Sequence, residues 1–336
     1  MEQVSVRGKK VFVGLSGGVD SAVSAALLRQ AGARVTGVFI KGWYPPGMPC
    51  TWAADRRDAM RVAARLHIPF VTLDASKEYK KAVIDYLLAE YRAGRTPNPD
   101  VMCNREVKFG VFYRYAMAQG ADLIATGHYR TGAKDQSYFL WAVSKEALAK
   151  TIFPLIGREK KDVRTLAKRL TLPVAEKKDS QGICFLGSIS VDEFLRDEFG
   201  ISPGQAVDTS GRSIGKHDGV LLYTLGERIA LRDTQESGPW FVLAKDVAKN
   251  ILTVGHDATP LSSDAHTIIP FTDANWIGDP SQVTHAQYRY RGQLLSGKVD
   301  GDRFVSDTPV LDTLASGQSL AFFQNDKLMG GGIMNL

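Results

Sequence analysis

The segment Ser16-Gly17-Gly18-Val19-Asp20-Ser21 has the residue types and spacing of a phosphate-binding turn. It follows an apolar run, residues 11–15, that predicts a buried parallel strand, and it precedes a predicted helix over residues 21–31. Adjacent glycines let several N–H groups point at one anion, and a helix N-terminus adds partial positive charge. The segment therefore predicts a nucleotide phosphate site, the alternative being a turn that only joins strand to helix.

Two widespread phosphate loops do not fit this segment. The Walker pattern needs four residues between its glycines, followed by Lys and Ser or Thr. The dinucleotide fingerprint needs Gly-x-Gly-x-x-Gly, which Gly14, Gly17 and Gly18 do not supply. A different class of nucleotide-binding loop is therefore indicated.

Cys103 and Cys184 are candidate reactive thiols. Cys103 stands between a proline-containing segment, residues 94–102, and a predicted helix over 104–119 with two basic residues near its start. A cysteine at such a helix N-terminus has a lowered pKa. Cys184 follows two lysines in a glycine-containing segment. Both surroundings are polar and basic, which favours reactive roles over the alternative of small buried core residues.

The rest of the composition bounds the class of protein. The third cysteine, Cys50, is given no catalytic role, and three widely spaced cysteines exclude a disulfide framework and a zinc site. Residues 1–190 carry a net charge of +13 and residues 191–336 one of −7, which indicates that the first part faces a polyanion or presents an ordinary charged surface. With neither a run of 18 apolar residues nor an apolar signal core, we expect a cytoplasmic protein without a membrane partner.

The first 130 residues alternate strands and helices. The predicted strands are 11–15, 34–40, 69–73 and 122–126, and the predicted helices are 21–31, 53–66, 78–93 and 104–119. This pattern predicts an α/β fold with a doubly wound parallel sheet. Ligands bind beyond the carboxyl ends of such strands, so the loops after Leu15, Ile40 and Ala125 are expected to line one site.

The remaining chain changes character twice. Residues 142–199 predict helices at 144–150, 159–170 and 191–199. After residue 200, frequent turn signals separate short β-rich runs such as 219–225 and 240–243, and alternating strands follow from about 261. We predict a catalytic domain over 1–199, a small β-rich central domain over 200–260 and a C-terminal β-barrel over 261–336.

The ordered set of motifs resembles the tRNA-specific 2-thiouridylases of the PP-loop ATPase superfamily, which have an adenine nucleotide alpha hydrolase-like fold. The resemblance rests on segments spread along nearly the whole chain: 14–21, 95–109, 125–129, 134–140, 177–185 and Gly317-Gln318. The chain departs from the family pattern at residues 42–46, where acidic residues usually follow Asn-Trp, and it is shorter between Tyr129 and Lys134.

The resemblance implies a chemistry. ATP, expected to come with Mg²⁺, adenylates the C2 oxygen of the wobble uridine and releases pyrophosphate, while the protein itself holds no metal site. Cys184 carries sulfur as a persulfide, and Cys103 is its partner nucleophile and ends in a disulfide with it. The sulfur donor would be a cysteine desulfurase or a sulfur-relay protein.

The resemblance also implies binding roles. Positions that line ATP are Gly14, Leu15, Ser16, Gly17, Gly18, Val19, Asp20, Ser21, Ile40 and Gly127. Positions that contact tRNA are Asn98, Pro99, Asp100, His128, Lys134, Asp135, Gln136, Arg289, Tyr290 and Gln318. Asp100 is also the candidate general acid/base, against the alternative of a turn-forming residue. His128 has a structural alternative, and strand alternation would place Tyr290 in the core.

Other functions remain open from the sequence. A 4-thiouridine synthetase or an amidotransferase-type synthetase would share the ATP loop. A non-catalytic RNA-binding or sulfur-carrier protein would need no ATP, which the intact segment 16–21 disfavours.

Overall fold

A computed structural model describes residues 5–46, 52–130, 135–178, 190–257 and 266–336. The chain forms two compact units. The first contains residues 1–84 and 99–189, and the second contains residues 85–98 and 190–336. The predicted domain boundaries stay a prediction.

The first unit is built on a five-stranded parallel sheet in the order β3-β2-β1-β4-β5. Its strands are β1 (Lys10–Gly14), β2 (Arg34–Lys41), β3 (Phe70–Asp74), β4 (Leu123–Ala125) and β5 (Thr151–Ile152). The apolar residues of the central strand β1 are buried because helices cover the faces of a parallel sheet. The order in which successive strands are added to the sheet reverses between β1 and β4, and such a switch point is where ligands bind in doubly wound folds.

Helices of the first unit connect these strands. They are α1 (Val19–Gln30), α2 (Trp52–Arg65), α3 (Ser76–Tyr79), α5 (Pro99–Met102), α6 (Phe112–Ala118), α7 (Lys145–Ala149) and α8 (Lys160–Arg169). Wider π-helical turns follow α3 over Lys80–Ile84 and join α5 to α6 over Cys103–Val111. Gly32 follows α1 and Gly120 follows α6, both in the left-handed conformation that ends a helix.

The second unit contains a helix α4 (Asp85–Arg92), a helix α9 (Val191–Phe199) and two β-structures. The smaller is a five-stranded sheet in the order β7-β6-β10-β9-β8. Its strands are β6 (Gly204–Val207), β7 (Ser213–His217), β8 (Arg228–Ile229), β9 (Trp240–Asp246) and β10 (Ile251–Gly255). Its core is formed by Val242, Leu252 and Val254, which are fully buried.

The other β-structure is a closed six-stranded barrel in the order β11-β14-β13-β12-β15-β16. Its strands are β11 (His266–Trp276), β12 (His285–Gln287), β13 (Leu295–Asp300), β14 (Arg303–Val310), β15 (Ser319–Gln324) and β16 (Lys327–Met334). Phe304 and Phe322 are buried at its centre, with stacked rings 6.1 Å apart.

The predicted fold class is confirmed, with a parallel α/β sheet followed by a β-rich part and a barrel. Two details were wrong. Residues 219–225 do not form a strand, because Gly219 has a φ of 135° and Val220–Leu222 turn into a 3₁₀ helix. The edge strand β5 lies in a region predicted as helical, because two residues are too short for a periodic signal. No helix among the described residues is long and apolar enough to cross a membrane.

Candidate functional site

The phosphate loop, residues 15–18, connects β1 to α1 and is organised by its own side chains. The hydroxyl of Ser21 accepts the backbone N–H of Ser16 at 3.2 Å and donates to the carbonyl of Gly18 at 3.1 Å. The hydroxyl of Ser16 accepts the N–H of Gly18 at 3.3 Å. Helix α1 begins at Val19, two residues earlier than predicted, so its first turn opens directly on the loop. Two hydroxyls and a helix N-terminus at one turn suit a phosphate group.

Two glycines allow close backbone approach at this loop. Gly17 has a φ of 79°, and a Cβ there would collide with the carbonyl oxygen of Asp55 in α2. Gly127 follows β4, and a Cβ there would lie 2.9 Å from the backbone nitrogen of Ser21. The loops after β1 and β4 are therefore brought together, as the sequence predicts for a site at this edge of the sheet.

Asp20 is held by two side chains from distant parts of the first unit. Its Oδ1 accepts the hydroxyl of Tyr129 at 2.7 Å, and both its oxygens lie 2.8 Å from Nζ of Lys160. Only 15% of the Lys160 side chain is exposed. Sequence reasoning missed Lys160, because a lysine at the start of a charged helix has the pattern of a solvated surface.

The other predicted ATP-lining residues occupy the same edge of the sheet. Gly14 ends β1, and the N–H of Leu15 donates to the carbonyl of Val38 at 2.8 Å. Ile40 is the second-last residue of β2, pairs in register with Leu73 and is 8% exposed. Their contact with a nucleotide stays a prediction.

The chain just before residue 179 is fixed to α2 by a lysine that sequence reasoning did not single out for this role. Nζ of Lys177 lies 2.8 Å from a carboxylate oxygen of Asp55 and 2.7 Å from one of Asp58. Arg164 donates to the carbonyl of Lys177 at 3.0 Å. Cys184 itself lies outside the described residues.

Cys103 is fully buried, with none of its surface exposed. The prediction that Cys103 stands just before a helix beginning at residue 104 was wrong. The helix begins earlier, at Pro99, so that Cys103 lies within a continuous helical stretch that packs against α3. Asp100 occupies the first turn of α5, and Asn98 immediately precedes that helix.

Asn104, next to Cys103, has a buried and incompletely used side chain. Its Nδ2 donates to the carbonyl of Phe139 at 2.9 Å, and the residue is 2% exposed. Its Oδ1 has no hydrogen-bond partner among the described residues. Buried acceptors of this kind are rare and are often found at functional sites.

His128 packs between two phenylalanine rings, with centroids 5.6 Å from Phe109 and 6.3 Å from Phe153. Its Nδ1 lies 2.9 Å from Oγ1 of Thr126. Burial, reinforced by the positive charges of Lys108 and Arg130, holds the pKa of His128 well below its usual value. A neutral imidazole suits a base edge or a ribose better than a phosphate.

Asp135 and Gln136 form hydrogen bonds with the backbone close to β4. Asp135 accepts the N–H of Ser137 at 2.6 Å. Gln136 pairs with Tyr129 twice: its Oε1 accepts the Tyr129 N–H at 3.1 Å, and its own N–H donates to the Tyr129 carbonyl at 2.8 Å. Lys134 lies outside the described residues.

The predicted tRNA contacts of the second unit lie on or beside the barrel. Arg289 follows β12, donates to the carbonyl of Thr313 at 2.7 Å and pairs with Asp312 at 3.3 Å. Tyr290 is only partly buried, and its ring lies 5.0 Å from the guanidinium of Arg291. The alternative that Tyr290 lies in the core was therefore wrong, and Tyr288 is buried instead. Gln318 immediately precedes β15 and is partly exposed.

Family models match three successive parts of the chain. They are the tRNA methyl transferase HUP domain over residues 9–188, the tRNA methyl transferase PRC-barrel domain over 192–256 and the aminomethyltransferase beta-barrel domain over 266–334. Among solved structures, the U34-tRNA thiolase NcsA from Methanococcus maripaludis is 19% identical, with a TM-score of 0.39 over 59% of this chain and 69% of that chain.

Curated relatives match over nearly their full length. The tRNA-specific 2-thiouridylase MnmA of Akkermansia muciniphila is 42% identical over 96% of this chain and 98% of its own. The protein of the same name from Streptococcus sanguinis is 40% identical over 97% of this chain and 95% of its own. With about 40% identity over nearly its whole length, the chain belongs to the tRNA-specific 2-thiouridylase family.

Proposed function

We propose that this protein is an ATP-dependent tRNA-uridine 2-sulfurtransferase that replaces the C2 oxygen of the wobble uridine with sulfur. The observation that carries the proposal is the phosphate loop at the β1/β4 edge, where Asp20 is held by Tyr129 and Lys160, in a chain similar to 2-thiouridylases from end to end. ATP is a substrate in this proposal and supplies the adenylyl group.

The first step is activation of the base. The uridine O2 attacks the α-phosphorus of ATP, pyrophosphate leaves, and an O2-adenylyl uridine forms with loss of the N3 proton. Oxide is a poor leaving group, whereas AMP is a good one. The hydroxyls of Ser16 and Ser21 and the start of α1 would hold the phosphates, and Lys160 supplies a cation for the charge on the departing pyrophosphate. Mg²⁺ is expected to accompany ATP.

Asp100 is proposed to accept the N3 proton. A carboxylate at the start of α5 lies in the segment that the family uses at the target base, together with Asn98 and Pro99. General acid–base catalysis by such a group contributes roughly 10²–10⁴-fold.

The second step transfers sulfur. Cys184 arrives as a persulfide, charged by a cysteine desulfurase or a relay protein. The Cys103 thiolate attacks the Sγ of Cys184, a Cys103–Cys184 disulfide forms, and the terminal sulfur leaves as hydrosulfide. Hydrosulfide adds to C2 and AMP departs, which gives 2-thiouridine. A dithiol reductant must then reduce the disulfide before another turnover.

The remaining predicted residues are proposed to bind tRNA. Lys134 would pair with a phosphate, His128 and Gln136 would face a base edge or ribose, and Asp135 would contact the tRNA beside them. Arg289, Tyr290 and Gln318 would bind a second part of the tRNA at the barrel. We expect this reaction to take place in the cytoplasm.

The test is to incubate the protein, ATP, unmodified tRNA and a persulfide-generating desulfurase with cysteine, and to measure modified nucleosides by mass spectrometry and pyrophosphate by enzyme coupling. We expect 2-thiouridine and pyrophosphate together, and loss of 2-thiouridine in Cys103→Ala and Cys184→Ala with their physiological donor. Formation of 4-thiouridine would instead identify a 4-thiouridine synthetase. Binding of tRNA or sulfur without any ATP-dependent product would favour a carrier or RNA-binding protein.

A further inference from the structure

The turn between β14 and β15, residues 312–318, is held at one end by residues beside β12. The guanidinium of Arg289 donates to the carbonyl of Thr313 at 2.7 Å and pairs with Asp312 at 3.3 Å. The hydroxyl of Tyr288 donates to Asp312 at 2.6 Å. The position of this turn is therefore tied to Arg289, a residue proposed above to bind tRNA.

The other end of the turn contacts residues 95 and 96, which follow α4 in the same unit. The N–H of Thr96 donates to the carbonyl of Ser316 at 2.9 Å. Gly317 has a φ of 90°, and a Cβ there would lie 3.0 Å from Cβ of Arg95 and from the carbonyl oxygen of Thr96. The backbones approach this closely only because residue 317 is a glycine.

Residues 95 and 96 are themselves well fixed. Arg95 forms a two-bond pair with Glu90, with Nε 2.7 Å from Oε2. Thr96 is 8% exposed, and Pro97 after it is also buried. Pro97 and Pro99 limit the backbone rotations available to the next residues, so a displacement of Thr96 is passed along the chain to Asn98.

We propose that Gly317 is a positioning residue, which sets the placement of Asn98 according to the position of the barrel turn 312–318. The turn 312–318 transmits this placement, because Arg289 holds one end and Thr96 lies against the other. This inference rests on the proposed function, since Asn98 is assigned there to the target base and Arg289 to the tRNA.

Open space beside the contact between Gly317 and Thr96 favours a local shift of the chain over unfolding when that contact is disturbed. A cleft of about 510 Å³ is lined by Arg95, Thr96 and Ser316. An added methyl group at residue 317 can therefore push the chain at Thr96 into open volume. A displacement of about 1 Å at a reacting group is enough to lower a rate by about 10²-fold.

The test compares Gly317→Ala with Gly301→Ala, which lies in the β13–β14 hairpin of the same barrel. Gly301 also has a left-handed φ, of 60°, but a Cβ there meets nothing within 4 Å. Both positions thus have a positive φ, and they differ in the contact with Arg95 and Thr96. We measure the melting temperature, the Kd for tRNA and the single-turnover rate of 2-thiouridine formation at saturating tRNA.

We expect Gly317→Ala to lower the single-turnover rate by at least about tenfold, while its Kd for tRNA changes by less than about threefold. Gly301→Ala is expected to keep both values near those of the wild type. The proposal is overturned if Gly317→Ala has the wild-type rate, or if its whole defect is in the Kd. Failure of the wild type to thiolate tRNA would instead overturn the proposed function.

If Gly317→Ala does not fold, Asp312→Asn tests the same link from its other end. This substitution removes the charge that pairs with Arg289 and keeps an oxygen for the Tyr288 hydroxyl. We expect a rate at saturating tRNA at least about threefold below that of the wild type. An unchanged rate in this folded variant would overturn the proposal.

Discussion

The phosphate loop and the segment around Cys103 lie in the same α/β sequence pattern, but they are built in different ways. The phosphate loop is organised by the hydroxyls of Ser16 and Ser21, which are only five positions apart, although the N–H of its first residue, Leu15, bonds to Val38 in β2. Cys103 lies inside a helical stretch and is fully buried against distant elements. The conformation of the phosphate loop can therefore be inferred from its own residues, whereas the accessibility of a thiol is decided by packing.

The largest expected effect is at Gly17, where the backbone of the phosphate loop lies against Asp55 of α2. We expect Gly17→Ala to destabilise the protein by about 2–3 kcal/mol and to abolish measurable ATP binding, because the methyl group meets the Asp55 carbonyl at a left-handed φ. Calorimetry of ATP binding and thermal unfolding measure the two effects.

Gly8→Ala is the control for this substitution. Gly8 has a similar φ of 75°, but a Cβ there has nothing within 4 Å. We expect a loss of only about 1 kcal/mol and normal ATP binding. Equal behaviour of the two variants would show that the contact with Asp55 is not what constrains the loop.

A smaller effect is expected at Lys160, the long-range partner of the phosphate loop. Lys160→Met leaves the carboxylate of Asp20 without its cation and removes positive charge beside the phosphates, so we expect ATP-dependent pyrophosphate release to fall by about 10²-fold. Lys161→Met is the matched control, since Lys161 is 78% exposed and its ion pair with Glu159 is also exposed. Equal rates in the two variants would contradict a role for Lys160.

The features that the sequence predicts well are those organised by nearby residues, and the features that it misses depend on distant ones. The strands β1 to β4 and the turn of residues 15–18 are marked by local sequence signals, and these elements were predicted correctly. Lys160 was missed because its contact with Asp20 joins residues 140 positions apart. Cys103 is buried although its polar sequence neighbours favoured the opposite, because those neighbours say nothing about the elements that cover it.

The burial of Cys103 leads to a labelling prediction of intermediate size. In a Cys50→Ser/Cys184→Ser variant, Cys103 is the only thiol, and none of its surface is exposed. We expect a thiol reagent to react at least about tenfold more slowly with the native protein than with the urea-unfolded protein, because labelling requires local opening. Fast labelling of the native variant would show that the segment opens readily, and would remove the contrast with the phosphate loop.

The smallest expected effect concerns His128. It follows Gly127, which contacts the backbone of Ser21, but its protonation, like the accessibility of Cys103, is set by packing. Burial between Phe109 and Phe153, with Lys108 and Arg130 nearby, lowers the pKa of His128 in the folded protein. The unfolded chain therefore binds a proton below pH of about 6.5 that the folded protein does not, so stability falls as the pH decreases below that value. The slope contributed by one such group is at most about 1.4 kcal/mol per pH unit.

His128→Gln removes this titrating group while keeping a polar side chain. We expect the free energy of unfolding, measured by urea denaturation between pH 5 and 7.5, to depend less steeply on pH in His128→Gln than in the wild type below pH of about 6.5, and equally above it. His67→Gln serves as the control for replacing a histidine by glutamine, because His67 lies in the exposed turn after α2. If His128→Gln keeps the full acid slope, His128 accepts a proton in the folded state. Its surroundings would then be open enough to water to offer a charged donor to a tRNA phosphate, and packing would not keep the imidazole neutral.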